Sequence, residues 1–260
     1  MRFAVLLLGL SGLLAACNTT SSSTDSSSDT PTDSAQWVVD QAIDQHGGAV
    51  YDNFTLTFDF RGRQYLVKRA NARFRYERQW TTDTTGTILD VLENEGFYRE
   101  QDGEKVQLSA EDSAKYANSV NSVAYFIQLP FGLNDGAVHK EYAGQVFIKG
   151  KSYYKVKVTF SKEGGGTDFE DTFYYWVEAK GYTVDYIAYY YLTNGGGSRF
   201  REAINVREVE GLRVQDYINY TYTGDTVPVA DYDRAFEEGR IRELSRILNE
   251  NVMVKVPRDE

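Results

Sequence analysis

The chain has 260 residues, 42% of them apolar or aromatic, and a formal net charge of −10 from 38 acidic and 28 basic side chains. So acidic a chain lacks the basic face that nucleic acid or broad electrostatic adhesion to an anionic bilayer demands, and both are excluded as partners of that kind. The length suits one large β-rich domain or two small ones, and no composition break divides residues 36–260, so a single domain is expected there.

The first residues read as an address. Arg2 supplies a positive start, Phe3 to Leu14 is apolar apart from Gly9, Ser11 and Gly12, and Ala15 and Ala16 are the small residues a peptidase needs. This run is shorter than the roughly 20 residues of a spanning helix, so residues 1–16 are expected to be a secretory signal. Leu14-Ala15-Ala16-Cys17 resembles a lipobox, in which the cysteine thiol takes a diacylglycerol and the chain is cut before it. The alternative is a plain signal with an incidental cysteine. Cys17 is the only cysteine, which excludes an internal disulfide. Residues 17–35, mostly Ser, Thr and Asp, cannot bury enough surface to offset ordering and are expected to be a flexible tether. The expected partner is therefore a membrane, held through diacylglyceryl-Cys17, with each buried methylene worth about 0.8 kcal/mol.

Gln36 to His46 has a helical stripe of Trp37, Val38, Val39, Ala42, Ile43 and His46, with Ser34 as N-cap and Gly47-Gly48 as terminator. The period then drops to two. Phe54, Leu56, Phe58 and Phe60 alternate with polar residues, Gln64 to Arg69 returns as a hairpin, and Phe74, Tyr76 and Trp80 alternate with Arg73, Arg75 and Glu77. Residues 87–92 and 96–100 are shorter strands. Ser109, with Asp112 in a capping-box position, opens a helix to about Gln128 that Pro130 closes. The apolar loop Leu129-Pro130-Phe131-Gly132-Leu133 is expected to pack under the sheet, since left in water it would be a sticky patch. Strands follow over 147–161, 168–178, 182–193, 199–209 and 212–222, joined by short turns at Gly164-Gly165-Gly166, Lys180-Gly181, Asn194 to Gly197 and Glu210-Gly211. Such turns force an antiparallel meander. Asp231 to Asn251 is expected to be a final helix with Phe236, Leu244, Ile247 and Leu248 inward.

The order of elements carries a resemblance. Gln45-His46-Gly47-Gly48, Leu129-Pro130-Phe131-Gly132-Leu133, Lys149-Gly150-Lys151-Ser152-Tyr153-Tyr154-Lys155-Val156 and Arg207-Glu208-Val209-Glu210-Gly211-Leu212 are similar to the DUF6503 family of lipoproteins and secreted proteins, which has no established activity. More loosely, the layout resembles periplasmic lipoprotein carriers and outer-membrane lipoprotein receptors. That resemblance implies a strongly curved antiparallel sheet, an open or half barrel, with helices on the concave side and an apolar cavity. The expected class is thus α+β. The chain departs from the small carriers in carrying its own lipidation site and in its acidic balance.

Chemistry for catalysis is not visible. The two histidines, His46 and His139, are far apart, no metal-ligand spacing or GxSxG elbow occurs, and the glycine runs precede strands rather than a phosphate-binding helix. His46 reads as a helix-terminal residue bonding carbonyls. Glu163, Asp168, Glu170 and Asp171 read as solvated charge on an edge hairpin rather than a cation site. No cofactor is expected. Two strands, Phe173-Tyr174-Tyr175-Trp176-Val177 and Ile187-Ala188-Tyr189-Tyr190-Tyr191-Leu192, are apolar on both faces and must be covered on both. Register decides which parity faces the hollow. Taking Trp176, Tyr174 and Tyr190 with Phe58, and Phe131 from the apolar loop, as the lining of a cavity gives the leading function: a non-enzymatic, membrane-anchored lipoprotein of the cell envelope, at the outer membrane, that binds a lipid or other hydrophobic ligand. The alternatives are a structural or protein-interaction lipoprotein with a filled core, and a hydrolase.

Overall fold

The computed structural model describes residues 34–163, 170–192, 196–224 and 227–257, which fall within the unit Pro31–Glu260. The signal, the lipobox and the tether up to residue 33 lie outside the described residues, as do the Gly164-Gly165-Gly166 turn, Asp168 and part of the Asn194–Gly197 turn; the last two residues of the expected tether, Ser34 and Ala35, instead begin the first helix, with Ala35 buried.

The first helix, α1 (Ser34–His46), buries Val38, Val39 and Ala42. It stops where the backbone must come close to other chain: a Cβ on Gly47 would stand 2.5 Å from Leu212 Cδ2 and 2.9 Å from Tyr51 Cε2. Five strands and a short sixth then wind back and forth: β1 (Asn53–Phe60), β2 (Arg63–Ala70), β3 (Arg73–Thr82), β4 (Gly86–Glu93), β5 (Gly96–Gln101) and β6 (Glu104–Val106). The second helix, α2 (Ala110–Ile127), is capped as its sequence requires, with the Asp112 backbone N–H donating to Ser109 Oγ at 3.0 Å. The meander is β7 (Val138–Ile148), β8 (Lys151–Phe160), β9 (Thr172–Glu178), β10 (Val184–Tyr191), β11 (Gly197–Val209) and β12 (Leu212–Tyr222). A one-and-a-half-turn helix, α3 (Tyr232–Glu237), and two strands, β13 (Ile241–Ile247) and β14 (Glu250–Lys255), complete the described chain.

The strands form two seven-stranded antiparallel sheets, ordered β14-β1-β2-β3-β4-β5-β6 and β13-β12-β11-β10-β9-β8-β7. The sheets do not close, and the architecture is the expected open, curved antiparallel one with helices. Between β13 and β14 the two residues Leu248 and Asn249 carry the chain from the edge of one sheet to the edge of the other. That corner is pinned by polar contacts. The Asn249 backbone N–H donates to Asp216 Oδ1 at 2.9 Å, Asn249 Nδ2 to the Gln215 carbonyl at 3.1 Å, and an Arg207 guanidinium N–H to the Asn249 carbonyl at 2.6 Å.

The expected terminal helix is therefore mostly strand. Gly239, at φ +67°, ends α3, and from Ile241 the chain alternates in register with β12, Tyr222 opposite Ile241 and Tyr217 opposite Ile247. Leu244 and Leu248, expected inward, are exposed.

Three buried clusters fill the interior. One joins Val38, Val39 and Ala42 of α1 and the loop residues Leu129 and Leu133 to Val156, Val158, Phe173, Tyr175, Val177, Ile187 and Tyr189. A second joins Val120 and Ala124 of α2 to Phe54, Leu56, Phe58, Tyr65, Val67 and Tyr76. The third lies on the other face of the second sheet, where Tyr153, Trp176, Tyr186, Ala188 and Phe200 are covered by Tyr232 and Phe236 of α3. The double-sided strands are thus covered on one face by α1 and the apolar loop and on the other by α3. As expected, Leu129 and Leu133 are buried, and Phe131 is half-buried.

Charge is also taken inside. Register lines up Phe58, Tyr65, Arg78, Asp90 and Arg99 across five strands on the α2 side. Asp90 accepts from both guanidiniums, from Arg78 Nε at 3.0 Å and from Arg99 Nε at 2.6 Å, while Arg78 also donates to Ser119 Oγ of α2 at 2.6 Å. On the α3 side, Asp233 accepts from Lys155 Nζ at 3.0 Å and Trp176 Nε1 at 3.2 Å, which fixes the short helix to the sheet.

Candidate functional site

The five side chains expected to line one cavity are not brought together. Trp176, Tyr174 and Tyr190 share a face, as their parity requires, but it is the α3 face. Trp176 is fully buried there, Tyr174 is half-buried beside it, and Tyr190 lies at the strand end with 41% of its surface exposed. Phe58 sits in the α2 cluster, stacked on Tyr65 with ring centroids 5.3 Å apart. Phe131 is held between the Tyr51 ring, 4.9 Å away, and the Arg69 guanidinium, 4.4 Å from its centroid. The opposite parity of β9 and β10 is the one that meets α1. A one-residue exchange of faces separates the two assignments.

His46 does not cap its own helix. It is completely buried and its Nε2 accepts the backbone N–H of Val184 at 3.0 Å. Burial, aided by the nearby Arg213 charge and opposed by the Leu129 backbone, pushes its pKa down to about 3. Among the described residues no three His, Cys, Asp or Glu side chains converge as metal ligands.

What the sheet pairing does build is a cleft at the seam. Its volume is about 210 Å³, and it lies between the later turns of α2 and the place where the end of β1 approaches β11–β13. Val123, Phe126 and Ile127 of α2, Phe60 of β1 and Ile247 of β13 give apolar walls. The floor is polar: Arg201 of β11 and Asn219 of β12 are register partners, and Asn219 is in turn opposite Ser245. A break in the β12–β13 pairing directly follows Asn219, and the β11–β12 pairing breaks after Ile204. Bulges of this kind re-aim side chains beside functional sites.

Three tyrosines near the floor, Tyr217, Tyr175 and Tyr125, are neutral phenols. Burial raises the pKa of Tyr217 and raises that of Tyr175 well above the ordinary tyrosine value. Tyr125, whose hydroxyl meets that of Tyr175 at 3.0 Å, is pushed up to about 12 by burial. None supplies an anion. Sequence reading passed over both: Arg201 stands between Phe200 and Glu202 in a charged stretch, and Asn219 alternates with Ile218 and Tyr220 as a solvent-facing residue of a one-sided strand does. Only the position of α2 over the seam turns their face inward.

Among solved structures, the chain is similar to that of a LolA superfamily protein from Nitrosomonas europaea, with 14% identity over 87% of this chain and 94% of that one and a TM-score of 0.47. It is similar to a DUF1329 family protein from Desulfovibrio piger, with 13% identity, 86% and 95% coverage and a TM-score of 0.44. It is also similar to the lipoprotein LppX from Mycobacterium tuberculosis, with 13% identity, 62% and 90% coverage and a TM-score of 0.26. No curated protein matches the chain. The model of the family of unknown function DUF6503 matches residues 11–249, and the chain belongs to that family.

Proposed function

We propose that the protein is a non-enzymatic lipoprotein of the cell envelope, anchored at the outer membrane through diacylglyceryl-Cys17, whose folded domain takes the apolar end of a ligand into the α2 cleft. The observation that carries this reading is the cleft itself: apolar on its walls and polar at a few points of its floor, as ligand sites are. Its roughly 210 Å³ exceeds the about 150 Å³ that holds a benzene ring in an apolar protein cavity and falls below the range of about 300–1,000 Å³ typical of drug-sized sites. It therefore suits one end of a molecule. A second reading, a structural or interaction lipoprotein, is favoured by the filled state of the three buried clusters.

Two measurements on the full-length protein decide. Cys17→Ala should move the protein from the membrane fraction to the soluble pool with its fold intact; continued sedimentation with membrane would place the anchor elsewhere. Native mass spectrometry should show the soluble form taking up a fluorescent fatty-acid probe, with uptake lost in Val123→Trp, which fills the cleft. No uptake by the parent leaves the structural reading standing.

A further inference from the structure

Three cations are buried among the described residues: Arg78, Lys155 and Arg201. Arg78 shares Asp90 with Arg99, and Lys155 holds Asp233. Arg201 is the exception. It is 8% exposed, and no carboxylate among the described residues lies within 4.0 Å of it. One terminal N–H donates to the Tyr189 hydroxyl at 2.8 Å, and the guanidinium carbon stands 3.7 Å from the Phe126 ring centroid. The Nε–H is buried without a partner. Beside it, Asn219 is equally buried, its Nδ2 donating to Ser245 Oγ at 3.3 Å and its Oδ1 without a partner. Turning that amide over would exchange its two ends and still leave one of them free.

A guanidinium is a permanent cation, and proteins pair or hydrogen-bond charge that they bury. Here the tyrosine and the ring hold the group in place, and neither neutralises it. Arg201 and Asn219 both line the cleft floor, each with one buried polar atom left without a partner, and the walls above them are apolar.

We infer that the α2 cleft binds a single-chain amphiphile by an anionic head, carboxylate or phosphate, which accepts from Arg201 Nε and meets Asn219, while its first methylenes lie against Val123, Ile127, Phe60 and Ile247. This deepens the proposed function and rests on the cleft being a ligand site. The head gives orientation: a charge-assisted bond to a guanidinium shielded by the Phe126 ring is stronger than one in water, and a neutral head leaves the cation unpaired. The ligand class is then set by the head more than by chain length.

The test is displacement of a fluorescent fatty-acid probe from the Cys17→Ala protein by decanoate, decyl phosphate and methyl decanoate. Decanoate, decyl phosphate or both should compete at least tenfold better than the ester, and which of the two wins identifies the head. Arg201→Gln should reduce that preference to about twofold or less while the ester is unaffected. The comparison of acid with ester on the parent protein needs no variant, so a variant that fails to fold does not remove the test. Equal competition by acid and ester, with Val123→Trp abolishing both, overturns the anionic-head inference and keeps the cleft. Absence of any displaceable probe overturns both.

Discussion

Lowering the pH should unfold this domain through one imidazole. His46 is buried with its Nε2 already accepting from the Val184 N–H, and its pKa is pushed down to about 3. In the unfolded chain it returns to about 6.5. Between these values the unfolded state holds a proton that the native state does not. The resulting stabilisation is complete above about pH 6.5 and falls as pH drops toward 3. Linkage over that interval gives a ceiling of about 5 kcal/mol, of which about 3 kcal/mol is gone by pH 4. A loss of that size is a large part of the roughly 5–15 kcal/mol that holds a domain together. The assay is urea denaturation at pH 7.5, 6, 5 and 4 for the parent and His46→Gln, whose side-chain carbonyl can accept from Val184 and does not titrate. The variant should start less stable and lose less, so that the two curves converge as pH falls. Parallel curves would refute the argument, because every other titrating group is common to both proteins.

Trp176→Ala removes a fully buried indole that packs edge-on to Phe200 with centroids 5.6 Å apart and donates to Asp233. It should cost about 3–5 kcal/mol in chemical denaturation and leave competition at the α2 cleft unchanged; a loss below about 1 kcal/mol would show that the α3 face is not packed as described. Asp90→Asn leaves two guanidiniums beneath α2 without their shared anion and should cost about 3–5 kcal/mol, measured as a drop in Tm. An unchanged Tm would mean that water or another group neutralises Arg78 and Arg99.

Both long helices, the hairpins and the meander were legible because each carries a local signal: the stripe of Val38, Val39 and Ala42, the Ser109 cap, the alternation of Phe54, Leu56 and Phe58. The segment from Asp231 to Asn251 misled for a local reason too. Phe236, Leu244, Ile247 and Leu248 fall at helical spacing by coincidence, whereas Gly239 and the alternation of Val252 with Val254 were the better guides. Asp90 and Arg78 sit at inward parity among apolar residues, so their burial was visible in principle as charge on the wrong face of a strand. The seam cleft was not visible at all. Arg201 and Asn219 come from two strands, and Val123 and Phe126 from a helix some eighty residues earlier. No periodicity encodes which end of a curved sheet a helix will cross.

The corner at Leu248-Asn249 has a consequence for the order of assembly. In the first sheet β1 lies between β2, which follows it after two residues, and β14, whose Lys255 stands opposite Thr55 at about 200 residues' separation. Phe54, Leu56 and Phe58 can therefore collapse early with their hairpin, yet one flank of β1 stays bare, its N–H and C=O groups unsatisfied, until the late segment arrives. The same segment borders the second sheet through β13, so the bare flanks of β1 and β12 are paired in one event. Until then the chain presents two unguarded strand edges, the feature by which β proteins aggregate. A truncation before Ile241 would fix the molecule in that aggregation-prone state.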